Sequence, residues 1–459
     1  MEGKIVSRIR ISSKYLIPLS FFLTIIIGAI LLMLPAASAT GEATGPLTAL
    51  FTSTTSVCVT GLVVVDTYAH WSLFGQFIIL ILVQIGGLGV VAVGSMIMLV
   101  GKRKFNLGSR TLLNDALNVE KNRGLLTFLT RIFKGTFFVE GIGAVLYAID
   151  FVPRLGFSKG IWSAVFQSVS AFCNAGMDVV GPNSMIDFHY NGLLMTVTMV
   201  LIILGGLGFV VWFDLIDSIK NAIKNRLSFY KMLKRLTIHS KVVLLMTGFL
   251  LVLGTIGIFI SEYSNPDTIG EMSLAGKLSN SLFQSVTFRT AGFASVPQDM
   301  LTESSCFIGY ILMFIGGSPI GTAGGIKTVT FFLVMMNVTS YIKGRNENLV
   351  FNKSVSTELM RKAAAIVFVS MITVFIMTFA LMGLEGVNLT DALYEIVSAL
   401  ATVGLSRGLT PLLGRAGRII IIISMYLGRI GPISMALFFI KGNGMDNRVR
   451  HSEGKFYVG

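Results

Sequence analysis

The chain is 459 residues long, 53% apolar and only 13% charged, with 49 glycines and a mean hydropathy of +0.77. A soluble protein carries roughly 25% charged residues, so this composition excludes a cytosolic enzyme, a disordered chain and a secreted disulfide scaffold. The net charge of +14 reads as membrane topology, not nucleic-acid binding: 27 of the 37 Lys and Arg fall in five short segments, 1–14, 101–131, 220–241, 341–362 and 441–459. The positive-inside rule places those segments and both termini in the cytoplasm. Most acids lie in the complementary segments. The three cysteines form no CxxC pair and the four histidines are scattered, so neither set frames a metal or disulfide site.

In chain order, Leu16–Leu34 is an apolar run long enough to cross a bilayer, read as a first transmembrane helix and not a cleaved signal. A segment too short to cross follows it and ends in Ala49-Leu-Phe-Thr-Ser-Thr-Thr-Ser-Val-Cys-Val-Thr-Gly-Leu62; a second apolar span runs Leu73–Val100. The pattern then repeats. Ile132–Ile149 precedes Ala164-Val-Phe-Gln-Ser-Val-Ser-Ala-Phe-Cys-Asn-Ala-Gly-Met177 and the span Leu193–Leu215. Val242–Ile260 precedes Ser281-Leu-Phe-Gln-Ser-Val-Thr-Phe-Arg-Thr-Ala-Gly-Phe293 and Phe307–Met336. Ala363–Met382 precedes Ala392-Leu-Tyr-Glu-Ile-Val-Ser-Ala-Leu-Ala-Thr-Val-Gly-Leu405 and Ile419–Ile440. The motif glycines Gly61, Gly176, Gly292 and Gly404 are separated by 115, 116 and 112 residues. Such a period across a whole chain marks an internal repeat.

A half-apolar segment between two spans, flanked on both sides by external acids, suggests a re-entrant helix. Irregular backbone at membrane depth survives only when buried or lining a water-filled cavity. The expected fold is therefore an all-α polytopic membrane protein: four tandem helix–pore helix–filter–helix repeats, eight spans in all, around one pseudo-fourfold pore. The repeats occupy 1–104, 105–225, 226–345 and 346–442, with a C-terminal tail at 443–459. Its aromatic tip, Gly454 to Gly459, would be an unexplained apolar patch if exposed in the cytosol.

An ion crossing a bilayer must exchange its water for other oxygens, and rings of backbone carbonyls provide them. Glycine is the residue that lets a carbonyl turn inward. The expected filter lines are Val59-Thr60-Gly61, Asn174-Ala175-Gly176, Thr290-Ala291-Gly292 and Thr402-Val403-Gly404. The second spans carry a further motif: Ile85-Gly-Gly-Leu-Gly89, Leu204-Gly-Gly-Leu-Gly208, Ile315-Gly-Gly-Ser-Pro319 and Leu427-Gly-Arg-Ile-Gly431. In the first two copies these glycines are expected to serve close helix packing. The third continues as Gly316-Gly-Ser-Pro-Ile-Gly-Thr-Ala-Gly-Gly325, which no helix interior tolerates, and predicts an intramembrane loop.

That loop (Gly316, Gly317, Gly321, Gly324, Gly325), Lys327 and Arg429 are the candidate gate. Arg429 sits at mid-span, either facing the pore or holding loop carbonyls with its five donors. Lys327 either joins the loop or reaches the inner interface. Glu140 is read as a packed acid between helices. Cys58 and Cys173 are read as small packers behind the filter, and Arg289 as a support binding external acids or carbonyls. The cluster Lys102-Arg103-Lys104 with Lys231, Lys234 and Arg235 is a candidate partner surface.

The filter motifs of repeats two and three, the 316–325 loop and Gly428-Arg-Ile-Gly-Pro432 resemble those of the Ktr-type (KtrB-like) membrane subunits within the Trk/Ktr/HKT potassium transporter superfamily. The resemblance covers essentially the whole chain. It implies potassium uptake, often sodium-stimulated, through a homodimer with one pore per subunit in a bacterial plasma membrane. It also implies a cytoplasmic RCK-type (KtrA-like) regulatory ring, so that any nucleotide acts through that partner and the chain itself carries no cofactor, only K+ and Na+ as ions in the filter. Plant relatives often have Ser at the first filter glycine, where this chain has Gly61. The competing reading is a carrier or membrane-embedded enzyme using Glu140 and Arg429. Parallel repeats argue against a rocking carrier, which normally shows inverted ones.

Overall fold

In the computed structural model, which describes residues 13–100, 125–345 and 347–431, the four quarters of the chain share one plan. Repeat one holds α1 (Ser13–Leu32), α2 (Pro46–Cys58), α3 (Leu73–Leu88) and α4 (Val90–Val100). Repeat two holds α5 (Leu125–Leu155), α6 (Phe157–Cys173), α7 (Gly192–Leu207) and α8 (Phe209–Lys224). A short α9 (Phe229–Arg235) leads into repeat three: α10 (Ile238–Glu262), α11 (Leu274–Phe288), α12 (Glu303–Phe314) and α13 (Thr328–Ile342). A two-stranded ribbon, β1 (Leu349–Val350) with β2 (Lys353–Ser354), precedes α14 (Thr357–Glu385), α15 (Leu389–Leu400) and α16 (Arg415–Ile430).

The outer helices are the continuous elements. Thr127–Leu155, Ile238–Glu262 and Thr357–Glu385 are each long and apolar enough to cross a bilayer unbroken. Their outward faces carry large exposed apolar residues such as Phe138, Val252 and Phe379. Burial runs the other way in the short helices α2, α6, α11 and α15, which form the centre. Phe51, Phe166, Phe283 and Tyr394 occupy one repeat position and are all fully buried.

Among the described residues each second span is broken or capped at its glycine motif, a break expected from sequence in the third repeat alone. Leu73–Val100 is interrupted at Gly89 (φ 90°), and α16 is capped by Gly431 (φ 94°), where the described residues end. Leu193–Leu215 bends by 100° at Gly208 (φ 85°). Phe307–Met336 opens into the predicted loop between α12 and α13. The physical reason is a backbone conformation open to glycine and costly for residues with a Cβ. The glycine motifs therefore do two jobs, where packing alone is expected for the first two copies. The last glycine breaks the helix. The first lets the inner helix touch the pore-helix end: a Cβ on Gly86, Gly205 or Gly428 would collide with the carbonyl of Val57, Phe172 or Leu400.

Acids at the outer-helix ends clamp the inner helices. Asp150 Oδ1 accepts from Asn191 (2.8 Å), Glu262 Oε1 from the Thr302 N–H and hydroxyl (2.9 and 2.7 Å), and Glu385 from the N–H groups of Gly414 and Gly417 (3.0 and 2.7 Å). In repeats three and four the carboxylate thus sits at a helix N-terminus, where free N–H groups and the helix dipole favour negative charge. Lys102–Lys104, the 104/105 and 442/443 repeat boundaries, Pro432 and the tail at 443–459 lie outside the described residues.

Candidate functional site

Each pore helix ends in a left-handed turn. Val59, Asn174, Thr290 and Thr402 have φ of 56°, 59°, 68° and 51°, and the glycine two residues later has φ of 95°, 66°, 84° and 97°. Holding four non-glycine residues in that region costs energy, and such strain persists only where surroundings over-determine it. A Ser or Thr in the last turn of each pore helix supplies the restraint. Thr55 Oγ1 accepts from the Gly61 N–H (2.9 Å) and Ser398 Oγ from the Gly404 N–H (3.1 Å). Ser170 and Thr287 donate instead, to the carbonyls of Met177 (2.5 Å) and Phe293 (2.7 Å).

The four strands close into a ring in chain order. A Cβ on Gly61 would strike the carbonyl of Ala175, one on Gly176 that of Ala291, one on Gly292 that of Val403, and one on Gly404 that of Thr60. All four glycines line one cavity of about 340 Å³, together with Asp66, Asp178, Gln298 and Ser406. The twelve filter residues proposed from sequence are thereby brought together. On the other side of the ring, the buried Thr60, Thr290 and Thr402 hydroxyls and the Asn174 amide nitrogen have no protein partner. Buried polar atoms are ordinarily satisfied; the three hydroxyl oxygens suit a hydrated or partly dehydrated cation, whereas the free Asn174 atom is a donor and its Oδ1 is engaged by Thr322.

The loop between α12 and α13 lies against the pore-helix ends of repeats two and four and is hydrogen-bonded to both. Its Ser318 and Thr322 N–H groups donate to the carbonyls of Gly206 (2.9 Å) and Gly205 (3.1 Å), and its Ile320 carbonyl accepts from the Phe209 N–H (3.0 Å). Thr322 Oγ1 bonds the Phe172 carbonyl and Asn174 Oδ1, both at 3.0 Å. Gly324 abuts Ala401 and Thr402 so closely that a Cβ there would collide with both. Of the other loop glycines, Gly316 and Gly317 meet Gly324 across the loop (Gly317 N–H to Gly324 carbonyl, 3.3 Å), Gly321 faces Gly205 and Gly208, and Gly325 takes φ 66°.

Arg429 takes the loop-holding role: its guanidinium donates to the Thr322 carbonyl (2.8 Å) and to the Gly86 carbonyl. Lys327 turns back onto the Ala323 carbonyl (2.5 Å), the first of its two expected options. Arg289 reaches the Gly316 carbonyl (3.1 Å); its described bond is thus on the loop side and not to an external acid. Glu140 accepts from Gln84 (3.3 Å) between helices and is not paired with Arg429. Cys58 and Cys173 are buried free thiols at the ends of α2 and α6, with Cys173 against Gly87.

Some contributors were not singled out from sequence. Arg407, just past the fourth filter, pairs with Asp391 (2.7 Å) and donates to the carbonyls of Gln298, Asp299 and Leu301, tying repeat four to repeat three. Glu395 receives Ser406, the Arg407 N–H and Thr410. Asp178, half-buried at the cavity wall, has its carboxyl pushed up to about 7, mainly by burial and further by Asp66 and Asp187. The only signal for these was position: Asp178 and Arg407 stand just after a repeat motif and Glu395 inside one.

The profile of TrkH, described as a cation transport protein, matches residues 5–449. The chain is 36% identical over 461 residues to the Ktr system potassium uptake protein B of Bacillus subtilis, covering 100% of this chain and 99% of that one. It is 35% identical over 457 residues to the potassium/sodium uptake protein NtpJ of Enterococcus hirae, covering 98% of each. In fold it resembles the crystal structure of the potassium transporter TrkH from Vibrio parahaemolyticus, with a TM-score of 0.73 and 15% identity over 96% of this chain and 87% of that one.

Proposed function

Because the chain belongs to the TrkH family of cation transport proteins, we propose that it is the pore-forming subunit of a potassium-uptake system. The observation that carries this reading is the ring of Gly61, Gly176, Gly292 and Gly404, contributed by four repeats and opening on one cavity. A cation entering that cavity passes Asp66 and Asp178, sheds water against the carbonyls of Thr60, Ala175, Ala291 and Val403, and is then met by the unpartnered hydroxyls. Carbonyl dipoles replace hydration oxygens, which favours an ion that dehydrates easily, potassium over sodium. One ring-forming glycine per strand gives few complete sites, and hence moderate selectivity.

The loop Gly316–Gly325, with Lys327 and Arg429, is the gate. Its bonds to Gly205, Gly206 and Phe209 hold it beside the ring, which supports this reading. Withdrawal exchanges a set of backbone hydrogen bonds for hydrated ones. Sodium stimulation, a homodimer, a cytoplasmic nucleotide-binding ring, and a plasma-membrane orientation with both termini cytoplasmic complete the proposal; the charge distribution supports the orientation, and the relatives' names support a role for sodium and a multi-part system. Rubidium uptake into proteoliposomes of the purified chain, with and without sodium, tests it. Saturable uptake that potassium competes and sodium competes poorly supports the reading; no cation flux in any lipid or partner condition overturns it.

A further inference from the structure

The bend at Gly208 creates a surface that the ion path does not use. We propose that α8 and α9 form an interfacial anchor that binds the anionic phospholipid headgroups of the leaflet on the basic side of the protein. The proposal rests on the reading that the chain spans a membrane with its basic segments on one side.

Geometry fixes the depth. α7 is 16 residues, about 24 Å long, and the hydrocarbon core is about 30 Å thick. α7 thus nearly crosses that core, and a helix leaving its end at 100° turns along the membrane plane near the basic-side boundary instead of continuing outward. The return is fixed too. α9 connects directly to α10, a full span, whose N-cap Thr237 donates both its N–H and its hydroxyl to Asp214 of α8 (2.9 and 2.8 Å). Both ends of the pair are thus held at one membrane face.

The side chains match an interface. Ile216, Ile219 and Ile223 form one exposed stripe on α8, and Phe229, Tyr230 and Leu233 are exposed around α9; Ile223 and Phe229 are 74% and 71% accessible. Beside them stand exposed Lys220, Lys224, Arg226, Lys231, Lys234 and Arg235, against only Asp217 and the engaged Asp214. A helix with an apolar stripe flanked by lysines lies in the headgroup boundary, its stripe among acyl chains and its cations at phosphates. Lys234 already lies over the Tyr230 ring (4.6 Å), stem on apolar surface and charge outward. An aqueous location leaves that apolar patch unexplained. The consequence reaches the loop, because the Phe209 N–H, at the start of α8, bonds the Ile320 carbonyl.

The test uses the full chain carrying Ile223→Cys, labelled with an environment-sensitive thiol dye; Cys58, Cys173 and Cys306 are buried and label poorly. It is reconstituted in phosphatidylcholine vesicles with and without about one-third phosphatidylglycerol. The expected result is a blue-shifted emission with phosphatidylglycerol that fades at high salt and is not competed by free inorganic phosphate. Each of Lys220, Lys224, Lys231 and Lys234 changed to Gln should lower the inserted-to-exposed ratio about fivefold, since a basic residue near an anionic surface contributes about 1 kcal/mol. Equal emission in both lipids at low salt overturns the proposal. So does a label that becomes shielded only when a soluble protein fraction is added, which would make the surface a protein-docking site. Rubidium flux measured in the same vesicles reports separately on the transport reading, since loss of flux in both lipids leaves the spectral result interpretable.

Discussion

Replacing Arg429 with Gln isolates the contribution of one side chain to the closed pore. In the structure its guanidinium bridges two carbonyls, Thr322 of the loop and Gly86 of repeat one, which lie in different repeats. A glutamine amide is shorter and uncharged, and reaches at most one of them. The loop keeps its other bonds, from Ser318 and Thr322 to Gly206, Gly205, Phe172 and Asn174. The loss is thus one charge-assisted hydrogen bond, plus a carbonyl left dry: about 2–3 kcal/mol. If that energy is present only with the loop in place, the open-to-closed ratio rises about 30- to 150-fold. The assay is rubidium uptake by proteoliposomes of the chain alone, where the wild-type loop holds flux low. A well-behaved Arg429→Gln protein with wild-type flux would refute the idea that these bonds hold the gate.

Deleting residues 317–323 should raise basal flux further than Arg429→Gln while leaving ion preference intact, read in the same uptake assay; unchanged flux would show that the loop is no barrier. Gly61→Ser and Gly404→Ser should each lower the potassium-to-sodium preference in competition assays, because a side chain there collides with the carbonyls of Ala175 and Thr60; the folded mutants should bind the ion more weakly, not fail to assemble. Asp178 gives a pH dependence: its carboxyl is raised from 3.8 to about 7, so it is neutral below pH 6 and charged above pH 8. Uptake at subsaturating potassium should rise across that window by up to about tenfold, and Asp178→Asn should flatten the rise. The sign for stability is opposite, because a raised carboxyl favours the folded state when protonated, and that contribution is lost as pH climbs from about 4 to 7. Arg407→Ala should cost about 3 kcal/mol of stability by leaving several carbonyls and Asp391 Oδ1 without their guanidinium partner, seen as a lowered melting midpoint in detergent with ion preference unchanged.

The repeat architecture was legible because period is a property of the chain itself. Four glycines about 115 residues apart locate four strands before any coordinate is known, and the third-repeat loop announces itself by Gly316 to Gly325. The loop-holding option for Arg429 followed from its depth, since a mid-span cation must find carbonyls or water. The inner-helix breaks were not legible. Gly89 and Gly208 sit in apolar runs where hydropathy reads straight through, and only the close approach of Gly86 and Gly205 to Val57 and Phe172 shows why the backbone leaves the helix three residues later. Arg289 could be assigned to carbonyls, but not to the Gly316 carbonyl, because sequence does not say which side of the ring its side chain takes. Asp178 and Arg407 act through partners from other repeats, Asp66 and Gln298 among them, and pairings over more than a hundred residues leave no local pattern.

The central claim is that one cation path runs through the ring of Gly61, Gly176, Gly292 and Gly404. Anomalous diffraction from crystals of the full chain grown in rubidium addresses it most directly. The account predicts a rubidium peak on the ring axis, within coordination distance of the carbonyls of Thr60, Ala175, Ala291 and Val403. Rubidium bound elsewhere in the membrane region, at Glu140 for example, with an empty axis, would contradict it.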